Sequence, residues 1–457
     1  MLLLAAPLIC PCIAHAQNEL KVRKVMAFSP AVPVRKSYCL DFGPGENTAR
    51  GCIKVAPGIA YSDERGYGFE EGAATVQGID RGGSDPLGGD FCTSDQPFLF
   101  SVRLPEGNYR VTLTLGDKTG ESDTTVKAEL RRLMLENVQT APRQIVTRTF
   151  LVNVRTPQIA GGDTVHLKTR ERDAEFRSWD DRLTLEFNGK RPCVGGIEIT
   201  PADNAITVYL LGDSTVTDQP GEPWAAWGQM LPRFFTDKIA VANHAESGET
   251  LRSSAGANRL NKVLSTLKSE DYVFLQFGHN DQKEKGEGVG AFTTYKTELK
   301  RYVAEIRKKG GLPVLVTSMN RRRFDTDGKI VPTLGDYPDA VRQTATEEKV
   351  PLIDLNAMSK SLFEALGPQG TLKAFVHYPA GSFPGQSAEL KDDTHFNTYG
   401  AYELAKCVVM GIRATVPGLA RSITPDFKTF DPSHPDPVAL WQLPASPARP
   451  ATKPDGS

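Results

Sequence analysis

Hydrophobic and polar positions along the chain follow two rhythms, and the rhythm changes near residue 205. Before it the period is two. Tyr109, Val111, Leu113 and Leu115 alternate with Arg110, Thr112 and Thr114, and Leu183, Leu185 and Phe187 alternate with Thr184 and Glu186. Successive side chains of a strand point to opposite faces, so this alternation predicts half-buried strands. Turn signals punctuate it at Pro105-Glu106-Gly107-Asn108, Leu115-Gly116-Asp117 and Asn188-Gly189. Long helical periodicity is scarce, and residues 17–203 read as an all-β sandwich.

After residue 205 short apolar runs take over: Ile206–Leu211, Ile239–Ala242, Tyr272–Phe277, Pro313–Val316 and Val350–Leu355. They lack alternation, as strands buried on both faces of a parallel sheet do. Between them lie helical stretches. In the clearest, Phe292, Tyr295, Leu299, Tyr302, Val303 and Ile306 share one face at offsets of three, four and seven. Tyr399 to Met410 reads as the last helix. This βαβα succession predicts an α/β domain over 204–420, with a parallel sheet and helices on both sides. The last 37 residues, from Arg421, carry eight prolines and no clear period. They read as an extended or disordered tail (421–457) that Trp441 could dock locally.

Composition narrows the classes. The 457 residues carry 54 Lys+Arg against 55 Asp+Glu, a net charge of −1, so no electrostatic case for nucleic acid arises. No apolar run reaches the roughly 18 residues of a membrane span. Residues 1–16 read as an export signal: Met1 to Ile9 is a short apolar core and Ala14-His15-Ala16 a small-x-small site, with cleavage before Gln17. The usual positive n-region is missing. The expected location is periplasmic or extracellular. Of seven Cys, cleavage would leave five, and no CxxC pair exists. Cys39–Cys52 is a possible bridge, with buried free thiols the alternative.

Candidate chemistry gathers at the ends of the predicted parallel strands, which share one rim and form the ligand crevice of open α/β sheets. One strand runs into Gly212-Asp213-Ser214-Thr215, a second into Asn243-His244-Ala245-Glu246-Ser247-Gly248, a third into Gly278-His279-Asn280-Asp281. A fourth cluster, Asp392-Asp393-Thr394-His395, precedes the last helix. Asp392 and His395 are three apart, so in a turn the carboxylate can fix the imidazole tautomer and leave Nε2 as a base. Ser214 would be the nucleophile, weak until such a base activates it. Acyl transfer also needs donors for an oxyanion. The Ser214 N–H, the Gly248 N–H and the Asn280 side-chain amide are the candidates. No HExxH, Walker A, GxGxxG or GxSxG motif is present.

These four segments resemble the SGNH/GDSL hydrolase superfamily, through Ser214, Gly248, Asn280 and His395. The match is closer to bacterial rhamnogalacturonan acetylesterases. It rests on Leu211-Gly212-Asp213-Ser214-Thr215-Val216, Trp227 to Phe235, Gly278 to Gln282 and Asp393 to Ala401, and extends to Asp41-Phe42-Gly43-Pro44-Gly45 and Tyr61 to Glu70. The resemblance implies a flavodoxin-like catalytic domain behind a galactose-binding-like sandwich. It implies removal of acetyl groups from pectic rhamnogalacturonan, in polysaccharide or oligosaccharide form, without metal or cofactor. The family's acid sits three before the His, which carries it onto Asp392, with Asp393 a rival that geometry decides. Arg321 and Arg322 follow a strand on the same rim and could pair galacturonate carboxylates. Trp224 could stack on a sugar ring, although helix packing is its bland reading. His244 and His279 read as supporting or surface histidines. Alternatives are an acetylesterase for another polysaccharide or a lipid ester, and a mainly carbohydrate-binding protein with an inactive hydrolase domain.

Overall fold

In a computed structural model of the chain, residues 34–70 and 73–455 are described. The expected export signal lies outside them. Among the described residues no helix is long and apolar enough to cross a membrane.

Residues 206–353 supply five short strands whose apolar runs pair in parallel. Their spatial order is Ile239–Asn243, Ile206–Gly212, Tyr272–Gln276, Leu312–Val316, Leu352–Ile353. Ile206–Gly212 lies between the next two strands of the chain. Successive connections therefore leave it in opposite directions, which opens a crevice at its carboxyl end. The strand interiors are buried on both faces, as their lack of alternation requires. Val208 and Leu210 pack in one cluster with Phe274, Val316 and the helix Thr398–Thr415; Tyr209 and Leu211 pack in another with Leu275, Leu299 and Tyr302.

The expected helix from Phe292 differs at its start. Ala291–Tyr295 is a π-turn and the α-helix proper runs Lys296–Lys308. The wider π winding shifts the first residue off the shared face, and Phe292 is 45% exposed while Leu299, Tyr302 and Ile306 are buried. The last helix, Thr398–Thr415, outruns its predicted span at both ends; the Asn397 side chain accepts from Gly400 N at 3.1 Å and fixes its start.

Residues 38–201 form two sheets. One is built on the order Gln144–Val154, Gly107–Asp117, Cys193–Pro201, Tyr38–Phe42, Ile53–Val55; the other runs Tyr67–Phe69, Phe98–Arg103, Arg182–Arg191, Ser122–Ala128, Arg132–Thr140. The alternating residues Val111, Leu113 and Leu115 meet Phe98, Phe100, Leu183, Leu185 and Phe187 in one apolar cluster. Cys39 and Cys52 are disulfide-bonded, whereas Cys92, Cys193 and Cys407 are free and buried.

The contact between residues 38–201 and the parallel-sheet region joins an apolar element, Leu133 in the cluster of Trp227 and Leu231, to buried polar pairs. Arg132 Nε pairs with Asp218 Oδ2 at 2.6 Å, Arg259 grips both oxygens of Glu171 at 3.0 and 2.6 Å, and Arg155 donates to the Asn243 carbonyl. The proline-rich end is irregular but bonded. The Trp441 ring lies 4.6 Å from that of Tyr402, and Trp441 Nε1 donates to Thr398 Oγ1. Further on, Lys127 Nζ donates to Pro444 O and Ser446 Oγ.

Breaking a buried ion pair strands the surviving charge, which costs about 3–5 kcal/mol. Arg259→Met is expected to lower stability on that scale in urea denaturation, because Glu171 would keep its burial and lose its partner. Glu171→Met added to it should recover much of the loss. A single variant as stable as the parent would show that the pair contributes nothing to folding.

Candidate active site

Ser214 follows the strand Ile206–Gly212 in a turn built by Asp213. The Asp213 carbonyl accepts from Val216 N at 3.0 Å, and its Oδ1 accepts from Thr215 N and Thr215 Oγ1 at 2.9 and 2.7 Å. Glycine is required at 212: a Cβ there would lie 2.6 Å from the Val216 side chain and 2.7 Å from Gln276 O. The Ser214 carbonyl accepts from Gln219 Nε2 at 2.8 Å.

His395 sits on a strand that leaves its ladder. Phe375 pairs with Phe396 and Val376 with Asp392, so residues 393–395 bulge out. The Asp392 carboxylate closes the bulge, with Oδ1 accepting from Thr394 N and His395 N at 3.0 Å each. Its Oδ2 lies 2.8 Å from His395 Nδ1 and 3.4 Å from Trp224 Nε1. With Nδ1 donating to the carboxylate, Nε2 faces the Ser214 Oγ at 2.7 Å as an acceptor. Burial favours a protonated Asp392, but the His395 ring and the two backbone donors outweigh it. They hold this carboxyl well below the usual carboxylate range.

Asp393 points elsewhere. Its carboxylate takes Arg322 Nη1 at 3.1 Å and His377 Nε2 at 2.8 Å and is half exposed. Geometry thus puts Asp392, and not its neighbour, on the imidazole.

Gly248 takes a φ of +79°, open to glycine at little cost. The Asn280 Nδ2 donates to Glu249 O at 3.1 Å, which ties its strand end to the Gly248 loop. Among the described residues neither the Ser214 nor the Gly248 N–H has an acceptor. The arrangement offers an alcohol hydrogen-bonded to an imidazole, a carboxylate behind the ring, and two peptide N–H donors that have no acceptor among the described residues. That is the chemistry of acyl transfer.

Two expectations are corrected. Trp224 offers no sugar platform: it is 2% exposed and spends its indole N–H on Asp392. Arg322 is a rivet, with donors on Thr371 Oγ1, Asp393 Oδ1 and Pro368 O. Arg321 remains at the rim, half-buried, and donates to the carbonyls of Thr333 and His279. Of the two readings of His244 and His279, supporting or surface, their burial leaves the supporting one. Burial first, and then nearby cations, keep both well below the usual histidine range. Sequence reasoning missed Gln219 and the residues that reach the site from before 205, namely Arg131, Lys168 and Arg170. Arg131 Nη1 donates to the carbonyls of Gln219 and Trp224 at 3.1 and 3.0 Å. No local pattern marks such partners.

Residues 210–401 match the GDSL-like lipase/acylhydrolase family. The chain is 42% identical to rhamnogalacturonan acetylesterase RhgT of Bacillus subtilis (strain 168) over 209 residues, which is 45% of this chain and 89% of that one. It is 36% identical to the probable rhamnogalacturonan acetylesterase YesY of the same organism, over 47% of this chain and 96% of that one. The crystal structure of Bacillus subtilis YxiM is 25% identical, spanning 84% of this chain and 99% of that one with a TM-score of 0.43. The chain belongs to the GDSL-like lipase/acylhydrolase family. Within it, the chain is an esterase similar to the rhamnogalacturonan acetylesterases.

One carboxyl beside the site titrates near neutrality. Burial, reinforced by the neighbouring Asp213 and Glu284 charges, pushes Asp281 up to about 7 against the Leu251 N–H that its Oδ1 accepts. The folded chain therefore binds this proton more tightly than the unfolded chain, whose value is about 3.9. The stability it contributes is full below that value and lost as pH rises towards about 7. Asp281→Asn is expected to gain on the parent in denaturation midpoint as pH rises through this window. A difference independent of pH would overturn the assignment.

Proposed function

We propose that the chain is a secreted carbohydrate esterase that removes acetyl groups from rhamnogalacturonan by a Ser–His–Asp acyl-enzyme mechanism. The observation that carries the reading is the hydrogen-bonded sequence Ser214 Oγ, His395 Nε2, His395 Nδ1, Asp392 Oδ2, with steps of 2.7 and 2.8 Å. The names of the two acetylesterase relatives supply the substrate class.

In this mechanism His395 Nε2 takes the Ser214 hydroxyl proton as Oγ bonds to the acetyl carbonyl carbon. The carbonyl oxygen becomes an oxyanion, held by the Ser214 and Gly248 N–H groups and the Asn280 amide. The C–O bond to the sugar breaks, His395 returns its proton to the departing sugar oxygen, and the acetyl group stays on Ser214. Water then gives a proton to His395 and attacks the acetyl carbon. Collapse releases acetate, and the proton returns to Ser214. Asp392 holds the ring's tautomer and stabilises the imidazolium throughout.

Export fits the Cys39–Cys52 disulfide, since such bonds persist in oxidising compartments. We read residues 17–203 as a galactose-binding-like sandwich, 204–420 as the catalytic domain and 421–457 as a tail. The mature protein recovered after expression with its leader is expected to begin at Gln17. An intact Met1 on exported protein would refute the leader reading.

Ser214→Ala is expected to abolish acetate release, and Asp392→Asn to lower kcat by about 10⁴-fold while Asp393→Asn changes it little. Full activity in the alanine variant would end the mechanism. Acetate release by the parent enzyme should be fastest from acetylated rhamnogalacturonan in a side-by-side comparison with acetylated homogalacturonan and xylan. Faster release from xylan would move the substrate to that class.

A further inference from the structure

Ester cleavage at this site demands that one peptide N–H point at the oxyanion and that one serine stay in register with the imidazole. Small displacements of either weaken the transition state far more than substrate binding. Both requirements are met here by side chains from one short segment outside the matched domain, the turn containing the helix Thr169–Asp173.

The first contact is on the Gly248 loop. Lys168 Nζ donates to the Ser247 carbonyl and pairs with Glu249 Oε1 at 2.9 Å. The Ser247 carbonyl and the Gly248 N–H belong to one planar peptide group and point in opposite directions. A cation fixed on that carbonyl therefore sets the direction of the Gly248 N–H. It also polarises the group, so the N–H becomes a stronger donor. Glu249, the partner of Lys168, gives its own carbonyl to Asn280 Nδ2 at 3.1 Å. Two of the three candidate oxyanion donors thus depend on the segment that Lys168 holds.

The second contact is on the Ser214 turn. Arg170 Nη2 donates to Gln219 Oε1 at 2.9 Å, and Gln219 Nε2 donates onward to Ser214 O at 2.8 Å and to Ser247 Oγ at 3.5 Å. The same guanidinium donates through Nε to Glu175 and through Nη1 to Lys453 O at 3.0 Å. The Gln219 amide bridges the serine turn and the Gly248 loop, and Arg170 fixes which way that amide faces.

We infer that Lys168 and Arg170 are positioning residues of the esterase site: Lys168 aims the Gly248 N–H through the Ser247–Gly248 peptide, and Arg170 holds the Ser214 turn through Gln219. Residues 34–201 are then part of the catalytic apparatus and not an appended module. The inference rests on the serine mechanism proposed above and goes beyond it, because it assigns two residues that act through Ser247 and Gln219.

The test uses the full-length enzyme and a small neutral aryl acetate, so that polysaccharide contacts do not enter. Lys168 is 32% exposed at its side chain, which makes its replacement tolerable to the fold. Lys168→Met is expected to lower kcat by about 10- to 100-fold, the range for partners that orient a site from behind, with KM within about twofold. Its melting temperature should fall below the parent's, because the buried Glu249 loses one cation and keeps Ser253 Oγ and Arg259 beside it, so kcat is read well below the transition. Lys168→Arg, which keeps a cation on the carbonyl, should recover a substantial part of the rate. Arg170→Ala should lose kcat in the same manner and regain part of it on addition of guanidinium at non-denaturing concentration. Unchanged kcat in both Lys168→Met and Arg170→Ala would overturn the inference. So would a loss that merely follows a lowered melting temperature and responds to neither rescue. Ser214→Ala run alongside separates the two failures. If it is inactive while the positioning variants are unimpaired, only this inference falls; if it is active, the mechanism itself falls.

Discussion

The geometry of the site depends on how one buried carboxylate, Asp392, is solvated by protein. A carboxylate taken out of water without donors is strongly disfavoured. Asp392 has the His395 ring, the N–H groups of Thr394 and His395, and the Trp224 indole in reach. Two of those donors exist only because residues 393–395 leave the ladder, which frees their N–H groups from pairing. The irregularity that exposes these donors also turns His395 back towards Ser214. Regular pairing through Thr394 would remove the donors and the ring orientation in one step, so bulge, charge and imidazole form a single unit.

The contact between the two-sheet region and the parallel sheet obeys the same rule over a larger area. Arg132 with Asp218 and Arg259 with Glu171 are almost fully buried, and each charge has a close partner. Such pairs are weak evidence for stability, because desolvation offsets much of the attraction. What they supply is register. Asp218 also accepts from Asn243 Nδ2, whose neighbour His244 begins the loop leading to Gly248. A sliding apolar contact would leave those loops free to shift by fractions of an ångström, whereas matched charges and hydrogen bonds admit one arrangement.

Much of this was legible locally. The five parallel runs and the alternating strands are set by burial pattern, and the strand-end clusters around Ser214, Gly248, Asn280 and His395 follow from where such strands point. Features set by the third dimension were not legible. The π-turn that exposes Phe292 leaves no mark in the spacing of apolar residues. Asp392 and Asp393 are chemically identical in the sequence and are separated only by the bulge. Arg322 looks like a carboxylate reader until its donors are traced to Thr371, Asp393 and Pro368. Trp224 has the composition of a sugar platform and the surroundings of a core residue. Lys168 and Arg170 were invisible for a stronger reason: their partners lie about fifty to eighty residues further along or more, and nothing periodic links them.

The carboxyls around the site show how environment divides roles among like groups. Asp392 is held as an anion. Burial pushes Asp213, Asp281, Glu175 and Glu246 the other way, towards the protonated form. The division matters most at Asp213, which adjoins the serine in the chain. Its Oδ1 orders the turn by accepting from Thr215 N and Thr215 Oγ1. The His395 ring faces the Asp392 carboxylate in line with Nδ1. Pushing the affinities of neighbouring carboxyls apart lets one stabilise charge while another only shapes backbone.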